Sequence, residues 1–362
     1  MSNKKTSIGG QALLEGIMMR GPEKTAMTVR NASGVMITEE WETNTKVPKF
    51  WKIPFFRGIY NMVISLSTGY KCLMKSADIA LEDITNEEKE TDKANDPSEH
   101  PAVYEDAAER SEPETTSEEV PVTEEPEITI AQEEKAEEPS EKKKKEKTDK
   151  GASTLTTVTM IVSVIIAVAV MIGLFILLPS FLGKLIFGEN TDGVSSLGRS
   201  VFEGVFKIIL LVLYMWAISF MKDIRRTFMY HGAEHKTIFC YENGLELTVD
   251  NVRPQKRFHP RCGTSFLILM MLVSIFIGFF IRVTNPFLRT AIKLLLLPLT
   301  IGIGYELIKL AGRHDNWFTR IISAPGLLLQ RLTVFEPEDS MIECAIESMK
   351  RVIPEDSEKD NW

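Results

Sequence analysis

The sequence predicts a mainly α-helical membrane protein. It has about four transmembrane helices, a small cytoplasmic α+β region at its N-terminus and a helical C-terminal tail. Three observations lead there. Long apolar runs carry few or no charges, Lys and Arg gather on alternate connections between those runs, and one short N-terminal stretch reads as paired strands.

The chain has 362 residues and a formal net charge of −8. That charge is unevenly spread. Residues 81–140 hold 22 of the 50 acidic residues and 4 of the 42 basic ones, so the remainder carries 28 acids and 38 bases, net +10. The acidic stretch is rich in Glu, Pro, Ser and Thr and too poor in apolar residues to offset its ordering entropy, so it reads as disordered linker. His100 falls inside it and is read as idle. The opening residues have no apolar run that would serve as a secretory signal.

In chain order, residues 1–80 form the first region. Residues 25–41, TAMTVRNASGVMITEEW, read as two strands around an Asn-Ala-Ser-Gly turn. The preceding GGQALLEGIMMRGP is glycine-rich and lacks the spacing of a dinucleotide or phosphate loop. It reads as a turn-rich entry strand or as a bend near the active face. Residues 50–81 have helical spacing with Arg57, Lys71 and Lys75 among the apolar positions, as in a helix lying in the interface or packed on the spans. Residues 81–150 are the linker, acidic and then lysine-rich.

The membrane domain is expected over 151–312. Residues 152–183 carry no charge, and residues 262–281 make a second clear span; a crossing needs about 20 apolar residues. Residues 201–221 include Glu203 and Lys207, four apart and able to pair on one helix face. Residues 288–312 carry Lys293, Glu306 and Lys309 toward their ends and Pro298 inside. Six lysines precede the first span, and eight Lys/Arg lie in the loop over 222–263, against two in each of the other connections. Positive charge stays inside, so both termini and the middle loop are expected in the cytoplasm. Residues 313–362 form the tail, with Glu336, Glu338 and Asp339 opening a helix.

The middle loop carries the chemistry. In YHGAEHKTIFCYENG, His231 and His235 are at i and i+4 and share a helix face, so both can grip one ion. Asn243-Gly244 is a helix stop, and Gly232 lets a neighbour approach. The order His231-x-x-Glu234-His235 inverts the zinc-protease motif, in which Glu accepts a proton from the water that the ion activates. A third ligand is needed. His259 and Cys262, three apart at the mouth of the third span, are candidates, as are Glu242 and Glu306. The expected cofactor is a divalent metal of the zinc class. His314 is read as a surface residue, and Cys240 and Cys344 as structural. The four cysteines include no CxxC pair, which favours reduced thiols.

The segments GGQALLEGIMMRGP, YHGAEHKTIFCYENG, FHPRCGTSF, GYELIKLAG and PGLLLQRLT together resemble the bacterial YqhQ family of integral membrane proteins, an uncharacterised domain predicted to be a metal-dependent enzyme. The resemblance runs from Thr6 to about Ile353, broken by the acidic insert. It implies a multi-pass protein of the bacterial plasma membrane. The residues matching its motifs are His231, Glu234, His235, His259 and Cys262, with Glu306 in the later one. No soluble two-lobed protease body surrounds the motif, so peptidase activity is not implied.

Two functions from different classes follow. One is a metal-dependent hydrolase acting on a membrane-associated substrate, with Glu234 as general base. The other is a non-enzymatic scaffold or assembly factor. A small transporter with Glu203, Lys207 and Glu306 along a path is a third. Expected partners are membrane lipids, with anionic headgroups at the basic loop, and a second copy of the chain packed through Gly302 and Gly304; no nucleic acid is expected.

Overall fold

The computed structural model describes residues 5–43, 47–94, 150–188, 193–283, 285–314, 316–356 and 359–360. Most of the expected linker, His100 included, lies outside the described residues. By its contacts the chain divides into two compact units, residues 1–92 with 166–362, and residues 93–165. The described part of the second unit is helical.

Four strands, β1 (Gly9–Leu13), β2 (Gly16–Arg20), β3 (Lys24–Arg30) and β4 (Met36–Glu42), form one antiparallel sheet in that order. The Asn31–Gly34 turn closes β3 on β4, pairing Arg30 with Met36, with Gly34 at φ 83°. The glycine-rich start is itself a hairpin, β1 on β2. Its pattern was hidden because β2 is buried on both faces and does not alternate. Ile17 and Met19 join one core while Met18 joins the other. The edge strand β4 carries Glu39, Glu40 and Glu42, charges that discourage further pairing.

A 39-residue helix α1 (Phe56–Ala94) follows. Its Cys72 and Ile79 cover the sheet face bearing Leu13, Met18, Met27 and Val29. Its start docks elsewhere: Asn61 donates to Tyr305 at 2.8 Å, and Arg57 clasps Glu306. Helix α2 (Lys150–Ile172), a π-helical turn (Gly173–Leu177) and α3 (Leu178–Phe187) come next, then α4 (Gly193–Ile218). Helix α5 (Lys222–Glu242) occupies half of the expected middle loop, and a short α6 (Val249–Val252) follows it. The remaining helices are α7 (Gly263–Gly278), α8 (Pro286–Leu295), α9 (Leu297–Arg313), α10 (Trp317–Thr333) and α11 (Asp339–Val352).

Two segments are long and apolar enough to cross a membrane, Val162–Phe187 with 26 residues and Ser195–Ile218 with 24. A third crossing is available if α8 and α9 count together, but they meet at 50°. Pro298 explains the break: it has no N–H to continue the helix and its ring crowds the preceding turn. The expected span over 262–281 contains only the 16-residue α7, about 24 Å against a hydrocarbon core of about 30 Å. In place of the four expected spans there are two helices of full length, one bent pair and one short apolar helix. Their outer surfaces expose Val164, Ile165, Val168, Leu213 and Trp216, an apolar area that suits lipid.

The largest core lies between the sheet, α5 and α11. Ile17, Met19 and Ala26 meet Tyr230, Ala233 and Cys240, and α11 adds Met341, Ile342, Cys344 and Met349. Helix α11 begins at Asp339 as the acidic cluster predicts. The C-terminal segment is no detached tail, since α11 fills this core and α10 packs along α7 and α9.

Candidate metal centre

Helix α5 ends in a Schellman motif. Gly244, at φ 68°, donates to Tyr241 O at 2.9 Å, and Leu245 donates to Cys240 O at 3.2 Å. Midway along α5, Gly232 admits a crossing strand. A Cβ there would sit 2.0 Å from Phe335 O, and Phe335 N donates to Phe228 O at 3.0 Å. The segment after α10 therefore presses onto α5, which brings the Thr333 carbonyl to His231.

His231 Nδ1 lies 3.0 Å from Thr333 O, and His235 Nδ1 lies 2.6 Å from Arg257 O. A carbonyl only accepts, so each Nδ1 carries the proton and donates. In the neutral ring this turns the lone pair onto Nε2. His231 Nε2 meets Cys262 Sγ at 3.0 Å. The two imidazoles stand edge to face, 4.4 Å between ring centres. One nitrogen from each His and the Cys262 sulfur all lie within 4.8 Å of one another.

Cys262 is the N-cap of α7, where the positive end of the helix dipole favours a thiolate. Burial pushes the Cys262 thiol up, but His231 and His235 beside it outweigh that and hold it well below the usual range. Burial alone would lower His231; the adjacent sulfur reverses this and lifts it to about 9. The pair thus favours imidazolium and thiolate, and the thiolate is the form that binds metal.

Glu234 is 6 % exposed. A Cβ on Gly10 would sit 2.9 Å from its carboxyl carbon, and the Gly10 N–H donates to it. Strand β1 of the glycine-rich hairpin thus abuts the histidine helix. Burial raises the Glu234 carboxyl above its ordinary value, partly offset by His231 and His235.

His259 stands apart from the three. Its ring lies 5.5 Å from that of His235, but its nitrogens meet Arg261 and Glu242 instead. Nδ1 accepts from Arg261 N at 3.3 Å, while Nε2 is 3.2 Å from the Arg261 guanidinium and 4.0 Å from Glu242. Burial, with the Arg261 charge, drives it down to about 4 despite Glu242. Glu242 is itself engaged by Arg261 and by Thr6 N at 2.9 Å. Of the four candidates for the third ligand, Cys262 joins the histidines and His259 does not. Glu306 is drawn away to Arg57 on α1, rather than to Lys309 or Arg313. Gly302 and Gly304 face Phe55, and Phe266 with Met270, within the same chain.

Gln330 holds the loop that carries these groups, and is fully buried. Its Oε1 accepts from His259 N at 2.8 Å, and its Nε2 donates to His259 O at 2.7 Å and to Ser265 Oγ at 2.9 Å. The signal for it was a lone polar residue among the leucines of PGLLLQRLT. The two carbonyls of Arg257 and Thr333 left no signal, because any residue supplies one. Beside His259 lies a cavity of about 670 Å³, whose wall includes Lys5, Lys256, Arg261, His314 and Arg320. Five of the eight basic residues over 222–263 pair with acids: Arg226 with Glu15, Lys236 and Arg257 with Glu336, Arg253 with Asp339, and Arg261 with Glu242.

Residues 53–355 match a family described as "Protein of unknown function (DUF1385)". The chain is also 30% identical over 351 residues to "Uncharacterized protein YqhQ" of Bacillus subtilis (strain 168), covering 95% of this chain and 92% of that one. No solved structure matches. A match across most of both chains, holding the histidine helix, the Cys262 loop and the Gln330 helix together, makes this protein a member of the YqhQ family.

Proposed function

We propose that this protein is a multi-pass membrane protein carrying a metal-dependent hydrolase centre on its cytoplasmic side. His231, His235 and Cys262 are the ligands and Glu234 is the general base. One observation carries the reading: both imidazoles are anchored through Nδ1 to backbone carbonyls, His231 Nε2 meets the Cys262 sulfur at 3.0 Å, and one ligand atom from each of the three residues lies within 4.8 Å of the others. Two imidazole nitrogens and a thiolate suit zinc-class ions, and three protein ligands are the complement of a catalytic rather than a closed structural site. Bound there, such an ion supplies a Lewis acid and lowers the pKa of water toward neutrality.

The chain's own groups do the rest. Thr333 O and Arg257 O fix the ring orientations. Gln330 and the N-terminus of α7 position Cys262. Glu234, whose burial favours proton uptake, accepts the proton at a carboxylate oxygen and returns it to the leaving group. The cavity beside His259, lined by Lys5, Lys256 and Arg320, suits an anionic, membrane-associated substrate such as a lipid headgroup. Lysine-rich flanks support a cytoplasmic position for this side, with α8 and α9 as one bent crossing and α7 as a short one.

Metal analysis of the full chain purified without chelators tests the reading. About one zinc-class ion per chain is expected, and substoichiometric zinc, iron and manganese together would sink it. The scaffold reading draws on the burial of Glu234 against Gly10, which suits a closed, structural centre. If Glu234→Gln restores every phenotype of a deletion strain, the scaffold stands and catalysis fails.

A further inference from the structure

A second polar cluster lies among the apolar helices. Glu203 is 1% exposed. It does not pair with Lys207, as their spacing suggests. Oε1 takes Arg199 Nε at 3.0 Å and Arg289 Nε at 3.1 Å, and Oε2 takes Arg289 Nε at 3.3 Å and Lys293 Nζ. The carboxylate is therefore saturated before Lys207 is reached. It is the only acidic residue in α3, α4, α7 and α8. Arg289, Lys293 and Lys207 thus face one carboxylate, an excess of two positive charges even with Arg199 left out of the balance.

Lys207 is the thirteenth of the 24 residues of Ser195–Ile218, about 18 Å of helix from either end. A four-carbon stem does not reach across that distance, so the ammonium stays at depth, where an unpaired charge is costly. Its Nζ and the Ser274 hydroxyl have no hydrogen-bond partner among the described residues. Both line a cavity of about 40 Å³ with Ser200, Gly204, Gly278 and Lys293. A single water occupies about 30 Å³ in the liquid, so the space suits one small ion. Ser180, Ser196 and Thr290, on the framing helices, also keep buried hydroxyls without a partner.

We propose that this cavity between α4, α7 and α8 binds one small inorganic anion of chloride size, held by the ammonium groups of Lys207 and Lys293 and the hydroxyl of Ser274. The anion offsets one of the two positive charges that Glu203 leaves uncovered and ties α7 to α4. The cost argument uses the membrane reading of α4 and is independent of the metal centre.

The test follows thermal unfolding of the full chain in detergent as sodium bromide or chloride replaces sodium gluconate at constant ionic strength. A saturable rise in Tm is expected with either halide, and gluconate is too large to substitute. Lys207→Met should move the half-saturating halide concentration up by roughly tenfold or more, and Ser274→Ala by about threefold or more. Should Lys207→Met fail to fold, Ser274→Ala alone decides. Absence of a saturable halide effect in the parent protein overturns the proposal, as does an unchanged midpoint in the variants. Because the readout is taken in detergent, failure of the membrane topology or of metal binding leaves it unaffected.

Discussion

The centre at His231, His235 and Cys262 and the cluster at Glu203 are both buried, yet they are built on opposite electrostatic plans. In the first, each imidazole has its Nδ1 proton committed to a backbone carbonyl, and a ring nitrogen of His231 meets the Cys262 sulfur. In the second, the inward-facing groups are guanidinium and ammonium donors around one carboxylate. Burial is tolerated in the first because its groups can be neutral or can share a proton. In the second it is tolerated because opposite charges touch. The first plan is receptive to a cation and the second to an anion, although neither distinction follows from burial itself.

The sharpest way to break this contrast is to remove one member on each side. His235→Ala should take bound zinc from about one per chain to background, read by metal analysis of the same preparation, while a folded apo-protein survives. Glu203→Gln should do the reverse. It leaves bound metal unchanged but costs about 3–5 kcal/mol, as expected when one partner of a buried ion pair is removed, measured by unfolding in mixed micelles. If Glu203→Gln is neutral, the cluster is not an ion-pair network.

Smaller effects sharpen the comparison. Gly232→Ala places a Cβ 2.0 Å from Phe335 O, and should cost about 1–3 kcal/mol while weakening metal binding by loosening Thr333 from His231. Gln330→Met keeps the volume but releases the His259 backbone and Ser265. It should weaken zinc affinity by about tenfold or more, the usual cost of losing an outer-shell partner, with Tm as the control for folding.

The smallest effect concerns pH. His259 is held near 4 in the folded chain, below its ordinary 6.5. As pH falls, the unfolded chain therefore binds the proton first. This contribution is complete above about pH 6.5 and is lost between pH 6.5 and 4. Glu242, whose pKa is also lowered, in its case by His259 and Arg261 against the effect of burial, adds a loss in the same direction at lower pH. His259→Asn should flatten the upper part of that pH dependence in unfolding experiments.

Several features were legible without coordinates because they depend on short-range geometry. The Asn31–Gly34 hairpin, the Asn243-Gly244 stop, the acidic opening of α11 and the shared helix face of His231 and His235 all follow from residues within a few positions of each other. Span lengths were less legible. Hydropathy counts apolar residues but does not register the break at Pro298 or the turn at Phe279 that shortens α7. The β1–β2 hairpin escaped because burial on both faces erases alternation.

The two centres divide along the same line. The composition of each set was in the sequence: two histidines four apart, HPRC nearby, and charged residues inside apolar runs. The tertiary structure decided which members meet. It seated Cys262 rather than His259 on the histidines: Gln330 holds the His259 backbone and Arg261 engages its ring. It gave Glu203 to Arg199, Arg289 and Lys293 rather than to Lys207, because Arg199 on α4 itself and Arg289 and Lys293 from α8 occupy both carboxylate oxygens. Local spacing specifies which side chains share a face of one helix. The partner across from that face, often a backbone carbonyl with no residue preference, exists only once distant segments have packed.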